Sequence, residues 1–165
     1  MSAAAQPQRP MRRAEREITD PALLSELLQK ATVLFLALQD SPAPYVVPVC
    51  FGHENGTLYV HSAVAGTKIE LLRANPLLGF SACTDMTVIP GRSACDFTSR
   101  AHSVIGTGRG RIVESDEERA HGLDVIMRHY ATGPVSSAPV YRPDSLARTC
   151  VCAISILSLR GKRTG

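Results

Sequence analysis

The chain contains no tryptophan, and only 5% of its 165 residues are aromatic. Modules that bind single-stranded nucleic acid interleave cationic residues with stacking rings on one face. Four tyrosines and four phenylalanines scattered along this chain do not supply that pattern. Long hydrophobic runs are missing too. The longest, Val33 to Leu38, is far below the ~18 residues that a membrane-spanning helix needs. The start of the chain lacks the apolar segment of a secretory signal, so the expected location is cytoplasmic. The five cysteines (Cys50, Cys83, Cys95, Cys150 and Cys152) are odd in number and irregularly spaced, with no Cys-x-x-Cys. That disfavours a disulfide scaffold and predicts five reduced thiols, buried or half-buried. Cys150 and Cys152 would share one face of a strand, but no second half of a zinc site accompanies them. The histidines show no metal-ligand spacing, so no metal is expected. The fingerprints of phosphate loops, dinucleotide folds, nucleophile elbows and zinc proteases are all lacking.

What remains is the composition of an ordinary folded domain, 44% hydrophobic and 20% charged. The net charge is +3. Residues 1–16 carry four arginines against Glu15, and residues 160–165 carry Arg160, Lys162 and Arg163. Each end contributes +3, which leaves the body between them at −3. Basic charge confined to the two ends argues against a basic binding face and against a nucleic-acid partner. Residues 1–10 are small, polar and proline-containing, and read as a flexible tail. Residues 11–163 read as one domain.

Periodicity supplies the elements. Asp20-Pro21 starts a helix, and Leu23, Leu24, Leu27 and Leu28 give it an apolar face over 20–30. Ala31 to Leu38 reads as a buried strand. Tyr45 to Phe51 reads as a second strand, in which Pro48 demands an edge or an irregularity. Glu54-Asn55-Gly56 is a hairpin turn into a strand over Thr57 to Ser62. A helix over 66–74 stops at Asn75-Pro76, and Leu77 to Thr84 is a fourth strand. Residues 85–100 read as irregular. His102 to Val113 is a strand whose Gly106, Gly108 and Gly110 clear one face for a flat ligand or another backbone. The clearest helix spans 115–131, capped by Ser115, with Ala120, Leu123, Met127 and Tyr130 as its apolar stripe. On it His121 is expected to pair with Glu117. A loop over 134–142, a helical turn over 143–148 and a last strand over Thr149 to Leu159 complete the chain. Strands outnumber helices, and several connections have hairpin length. The fold class is therefore mainly β, an antiparallel barrel with peripheral helices.

One segment carries recognisable chemistry. From Tyr59 to Leu72 a strand runs out at His61-Ser62, the chain turns at Gly66, and a helix begins near Thr67-Lys68. Free helix N–H groups, a hydroxyl and an ammonium would converge there on one anion, such as a phosphate. His61 is either a structural hydrogen-bonder at a strand end or a donor facing a ligand.

Several motifs together carry a family resemblance. They are Met11-Arg-Arg-x-x-Arg-Glu-Ile18, Tyr45-Val-Val-Pro-Val-Cys-Phe51, Tyr59-Val-His-Ser-Ala-x-x-Gly-x-Lys68, Cys95-Asp-Phe-x-x-Arg-x-x-Ser-Val-Ile-Gly-x-Gly-Arg109, Met127-Arg-His-Tyr130 and Gly161-Lys-Arg163. In order and spacing the chain resembles the pyridoxamine 5′-phosphate oxidase-like superfamily, and within it the Nim-like, nitroimidazole-resistance branch. The resemblance implies a split β-barrel that forms a homodimer with FMN at the subunit interface. Pro48, Val49 and Cys50 would lie along the isoalloxazine ring, His61 and Ser62 near the flavin, and Thr67 and Lys68 on its phosphate. Ser103 would contribute from the start of its strand. In the branch an aromatic residue and an arginine commonly precede that serine, whereas Ala101 and His102 stand here; the departure implies either a weaker hold on the flavin or Arg100 as the substitute cation. The implied activity is an FMN oxidoreductase passing electrons from NAD(P)H to a small acceptor such as a nitroaromatic, with His61 as the candidate catalytic side chain. Two alternatives stay open: a flavin-binding protein without turnover, and the same fold holding a deazaflavin or haem.

Overall fold

A computed structural model describes residues 9–131 and 141–165. Most of the expected tail over 1–10 and nearly all of the expected loop over 134–142 lie outside the described residues. A short strand β1 (Glu17–Ile18) leads to helix α1 (Pro21–Lys30). Then come β2 (Leu34–Leu38), β3 (Tyr45–Val49), β4 (Phe51–Glu54), β5 (Thr57–Ala63), α2 (Thr67–Ala74) and β6 (Leu77–Ile89). The chain closes with β7 (Thr98–Ile112), α3 (Asp116–Tyr130), α4 (Pro143–Ala147) and β8 (Thr149–Thr164). The strands form one antiparallel sheet in the order β3-β2-β6-β7-β8-β5-β4, with β1 added to β8. The fold class is thus the expected one.

Local signals placed the elements well. Asp20 accepts from Ala22 N at 3.1 Å and caps α1, and Ser115 accepts from Glu118 N at 3.2 Å and caps α3. Asn55 and Gly56 have φ of 49° and 75°, the left-handed pair that a two-residue hairpin turn requires.

The expected strand over 45–51 is two strands. It breaks at Cys50, and the reason lies in the topology. β3 and β4 are the two edges of the sheet, yet only one residue separates them in the chain. The sheet therefore curls until its edges meet at Cys50, and they meet without a ladder between them. Pro48 sits on β3, an edge strand, where its missing N–H leaves no ladder donor wanting.

Half of the expected irregular stretch over 85–100 is strand, at its two ends. β6 continues to Ile89 through a register shift between Thr84 and Thr87, with Asp85 at φ 55°. That bulge interrupts the alternation of apolar residues and hides the strand from a periodicity argument. Ser93 and Asp96 form a reciprocal capping box in the connection.

Inside the barrel, Leu34, Leu36, Leu38, Phe51, Leu58, Val60, Val104 and Ile154 form the core, and α1 covers it with Leu24, Leu27 and Leu28. The alternating glycines of β7 belong to this packing. A Cβ on Gly106 would fall 2.3 Å from the Phe80 ring, one on Gly108 2.5 Å from Ile154, and one on Gly110 2.6 Å from Leu72. A second cluster lies under α3, built from Tyr59, Val113, Val125, Ile126, Val151 and Ala153. The inward face of α3 centres on Gly122, Val125 and Ile126, while Met127 is 53% exposed. Of the expected stripe, Leu123 and Tyr130 pack against this cluster and Met127 does not, because Gly122 lets the helix sit on Tyr59 and Val151, and a hydropathy pattern does not register a glycine as a contact.

The two basic ends lie side by side. β1 pairs with β8 so that Glu17 faces Lys162, and the chain end at Gly165 lies against Arg100. Arg160, only 8% exposed, fastens this corner. It pairs with Glu17 at 3.0 Å and donates to the Arg9 carbonyl at 2.7 Å.

Candidate functional site

β5 ends in His61-Ser62-Ala63, and α2 begins four residues later at Thr67. Gly66 makes this connection with φ 124°, a conformation that residues with a side chain rarely adopt. No side chain caps α2. The N–H groups of its first residues are thus free to serve an anion, beside the Thr67 hydroxyl and the half-buried Lys68. Beneath this corner, Ser62 pairs with Cys150 and Val60 with Cys152 across the β5–β8 ladder. Both cysteines are buried free thiols, as expected of reduced cysteines, whereas Cys50, Cys83 and Cys95 are exposed free thiols. Burial pushes the Cys152 thiol up to about 12, Cys150 adds to the shift, and Lys68 and Arg73 offset part of it. The Cys152 thiol is therefore a poor nucleophile.

The bend between β3 and β4 reaches the same corner. Phe51 pairs with Val60, and that register, continued by one residue, sets Cys50 at the level of His61. Pro48, Val49 and Cys50 thus lead into the break beside His61, and Ser62, Thr67 and Lys68 follow His61 along the chain. β3 has a neighbour on one side only, so half of its backbone N–H and C=O groups are free.

Ser103 and Arg100 are not part of that group in a single chain. Pro48, Phe35, Ser81 and Ile105 form one row across four strands. Ser103 lies two residues along β7 from Ile105, so it is about three strand spacings, ~14 Å, from β3. It pairs with Cys83 and Lys162. Arg100 lies farther out on the β6–β7 hairpin, opposite Thr87. His102 approaches Asp85 at 3.7 Å.

The row through Pro48 exposes a feature the sequence reading missed. Ala31 to Leu38 was expected to be a buried strand, but Phe35 is 44% exposed. With Val46, Leu77, Ile105 and Leu157 it makes an exposed apolar outer face on β3, β2, β6, β7 and β8. The signal was present: Val33 to Leu38 is apolar at every position, the pattern of a strand covered on both faces. The barrel interior covers only one of them.

Glu54 is the centre of a charged cluster on the far side of β4. It accepts from Arg128 at 2.9 Å and meets His121 at 2.8 Å. His121 therefore pairs across to β4 and not with Glu117 along its own helix. An open cavity of about 400 Å³ lies here, lined by Gln29, His53, Glu54, Arg128 and His129 among others. Burial, and then the proximity of His129, hold the His53 imidazole below its usual range. None of the residues predicted for a cofactor lines this cavity. Among the described residues no group of three or more His, Cys, Asp or Glu side chains could hold a metal ion. No helix among them is long and apolar enough to cross a membrane.

An antiparallel barrel whose edges meet without pairing is a split barrel. The family model described as pyridoxamine 5′-phosphate oxidase matches residues 20–163, and the chain belongs to that family. Among solved structures it is similar to a candidate 5-nitroimidazole antibiotic resistance protein from Bacteroides thetaiotaomicron. That pair shares 30% identity over 89% of this chain and 86% of the other, with a TM-score of 0.77. A flavocytochrome from Azotobacter vinelandii is 19% identical over 94% of this chain and 72% of its own, with a TM-score of 0.81. An FAD and heme binding protein from Mycobacterium smegmatis is 20% identical over 90% and 73%, with a TM-score of 0.80. At those identities the last two show the fold. No curated protein matches the chain.

Proposed function

We propose that residues 11–163 form one FMN-binding domain that works as a cytoplasmic homodimer, with the flavin at the subunit interface. It passes electrons from NAD(P)H to a small acceptor such as a nitroaromatic compound. The observation that carries this reading is the corner where an uncapped helix start, Thr67 and Lys68 meet the Pro48–Cys50 bend and His61. The fit to FMN is chemical. Free N–H groups, a hydroxyl and an ammonium suit a phosphate dianion. The free edge of β3 offers backbone donors and acceptors to the rim of a planar ring. The apolar outer face around Phe35 and Ile105 supports a second copy of the chain as its cover. A second copy would also bring another Ser103 and Arg100 towards the corner. The 30% identity to the Bacteroides protein supports a nitroaromatic acceptor.

When bound, FMN supplies the hydride and electron chemistry. Lys68, Thr67 and the α2 N–H groups hold the phosphate. Pro48, Val49 and Cys50 set the ring against the strand edge. His61, exposed at the end of β5, holds or delivers a proton from its imidazole. The visible spectrum of the purified protein tests the class, with an absorption band near ~450 nm expected from the oxidised flavin. A haem band, or no retained chromophore after incubation with FMN, sinks the reading. Bound flavin that NADH and NADPH both leave oxidised would make the protein a flavin binder without turnover.

His61→Ala is expected to keep FMN and to lower turnover about hundredfold, the usual weight of a positioned acid or base. Stopped-flow reduction and steady-state rates measure it. Unchanged rates would remove His61 from the chemistry.

A further inference from the structure

Three consecutive residues at the end of α3 grip the place where the sheet edges meet. Arg128 donates to Glu54 on β4 at 2.9 Å. His129 Nε2 lies 2.7 Å from the Ala31 carbonyl, and its ring packs on Phe51 with centroids 4.5 Å apart. The Tyr130 hydroxyl donates to the Thr32 carbonyl at 2.8 Å and accepts from Phe51 N–H at 3.1 Å. Ala31 and Thr32 precede β2, and Phe51 follows the break at Cys50. These backbone groups sit where the ladder is interrupted, and the phenol stands in for a missing strand. The Cys50 thiol neighbours the same hydroxyl. Burial, above all, raises the pKa of the phenol, so it stays protonated and keeps its donor.

We infer that Tyr130 is a positioning residue, whose hydroxyl fixes the bend at Cys50 and with it the strand edge that faces the flavin ring. The inference rests on the flavin reading above and adds a residue on α3, behind β4, to the machinery of that site. Tyr130→Phe keeps the ring and removes both hydrogen bonds, leaving a backbone donor and a backbone acceptor without their partner.

Two measurements test it. First, the FMN dissociation constant of Tyr130→Phe is expected to rise about tenfold. Tyr141→Phe is the control, because its hydroxyl donates to Asp124 on the same helix at 2.8 Å, and it should bind FMN like the wild type. Second, the rate of Cys50 with Ellman's reagent is read on flavin-free protein in a Cys83→Ser, Cys95→Ser background. It should change about fivefold when Tyr130 becomes Phe. If both tyrosine variants melt lower and both bind FMN normally, Tyr130 only supports the fold and the inference fails. An unchanged thiol rate overturns it as well. Should the wild type bind no FMN, the flavin reading falls separately, and the thiol rate alone decides whether Tyr130 sets the bend.

Discussion

Lys68→Ala is expected to give a folded, colourless protein. Lys68 is the second residue of α2, half-buried and close to the buried end of β8. An alanine there is a better helix former than lysine, so α2 should persist. A charge-assisted hydrogen bond to a phosphate contributes about 1.5–3 kcal/mol, which corresponds to roughly a tenfold to hundredfold loss of FMN affinity. The loss should sit at the upper end, because among the described residues no side chain caps α2. Lys68→Arg should restore part of it, since the charge returns with a longer, planar head. Titration calorimetry with FMN measures the change, and circular dichroism confirms the fold. A Lys68→Ala protein that purifies fully yellow would place the phosphate elsewhere.

Gly52→Ala is expected to cause a large loss of stability through a single added methyl group. A Cβ at Gly52 would lie 2.5 Å from the Val125 carbonyl oxygen, 2.6 Å from its carbon and 2.8 Å from Ile126 N. All three are backbone atoms of α3, so no rotamer change can relieve the clash. The helix must lift off β4, which loosens Arg128 from Glu54 and Tyr130 from Phe51 together. Overpacking of this kind costs about 1–3 kcal/mol, and the rigid neighbours place this case near the top of that range. At about 2–4 °C per kcal/mol for a chain of this size, the melting temperature should fall by roughly 10 °C. An unchanged melting curve would contradict the close seating of α3 on β4.

How much of this was legible in the sequence depends on how local each signal is. Asp20, Asn55-Gly56, Ser115 and Asn75-Pro76 act within a few residues, and α1, α2, α3 and β5, which they bound, were read correctly. The turn at Gly66 and the start of α2 at Thr67 were legible for the same reason. Cys50 was not, because its break follows from two sheet edges meeting, a fact about strands far apart in the chain. The exposure of Phe35 also depends on what the other strands leave uncovered. Arg9 and Arg160 are adjacent only because β1 adds to β8. The inward face of α3 was misread because its innermost residue, Gly122, carries no side chain to betray it. The motif Met127-Arg-His-Tyr130 was visible as a resemblance, but its role emerged only when Thr32 and Phe51 were found on either side of the phenol.

The position of β8 has a consequence for how the molecule is made. The last strand of the chain lies in the middle of the sheet, between β7 and β5. Its partners in β5, such as Thr57 opposite Ser155, are about 100 residues earlier. While the chain is being synthesised, β5 has only β4 to pair with, and β7 only β6. Leu58 and Val60 then have no core to enter. The nascent chain must carry two unfinished sheets with open edges until residues 149–164 leave the ribosome. Such edges are templates for wrong pairing. Folding of the sheet therefore waits for β8, and a ribosome that stalls before it leaves a product suited to a chaperone or to aggregation.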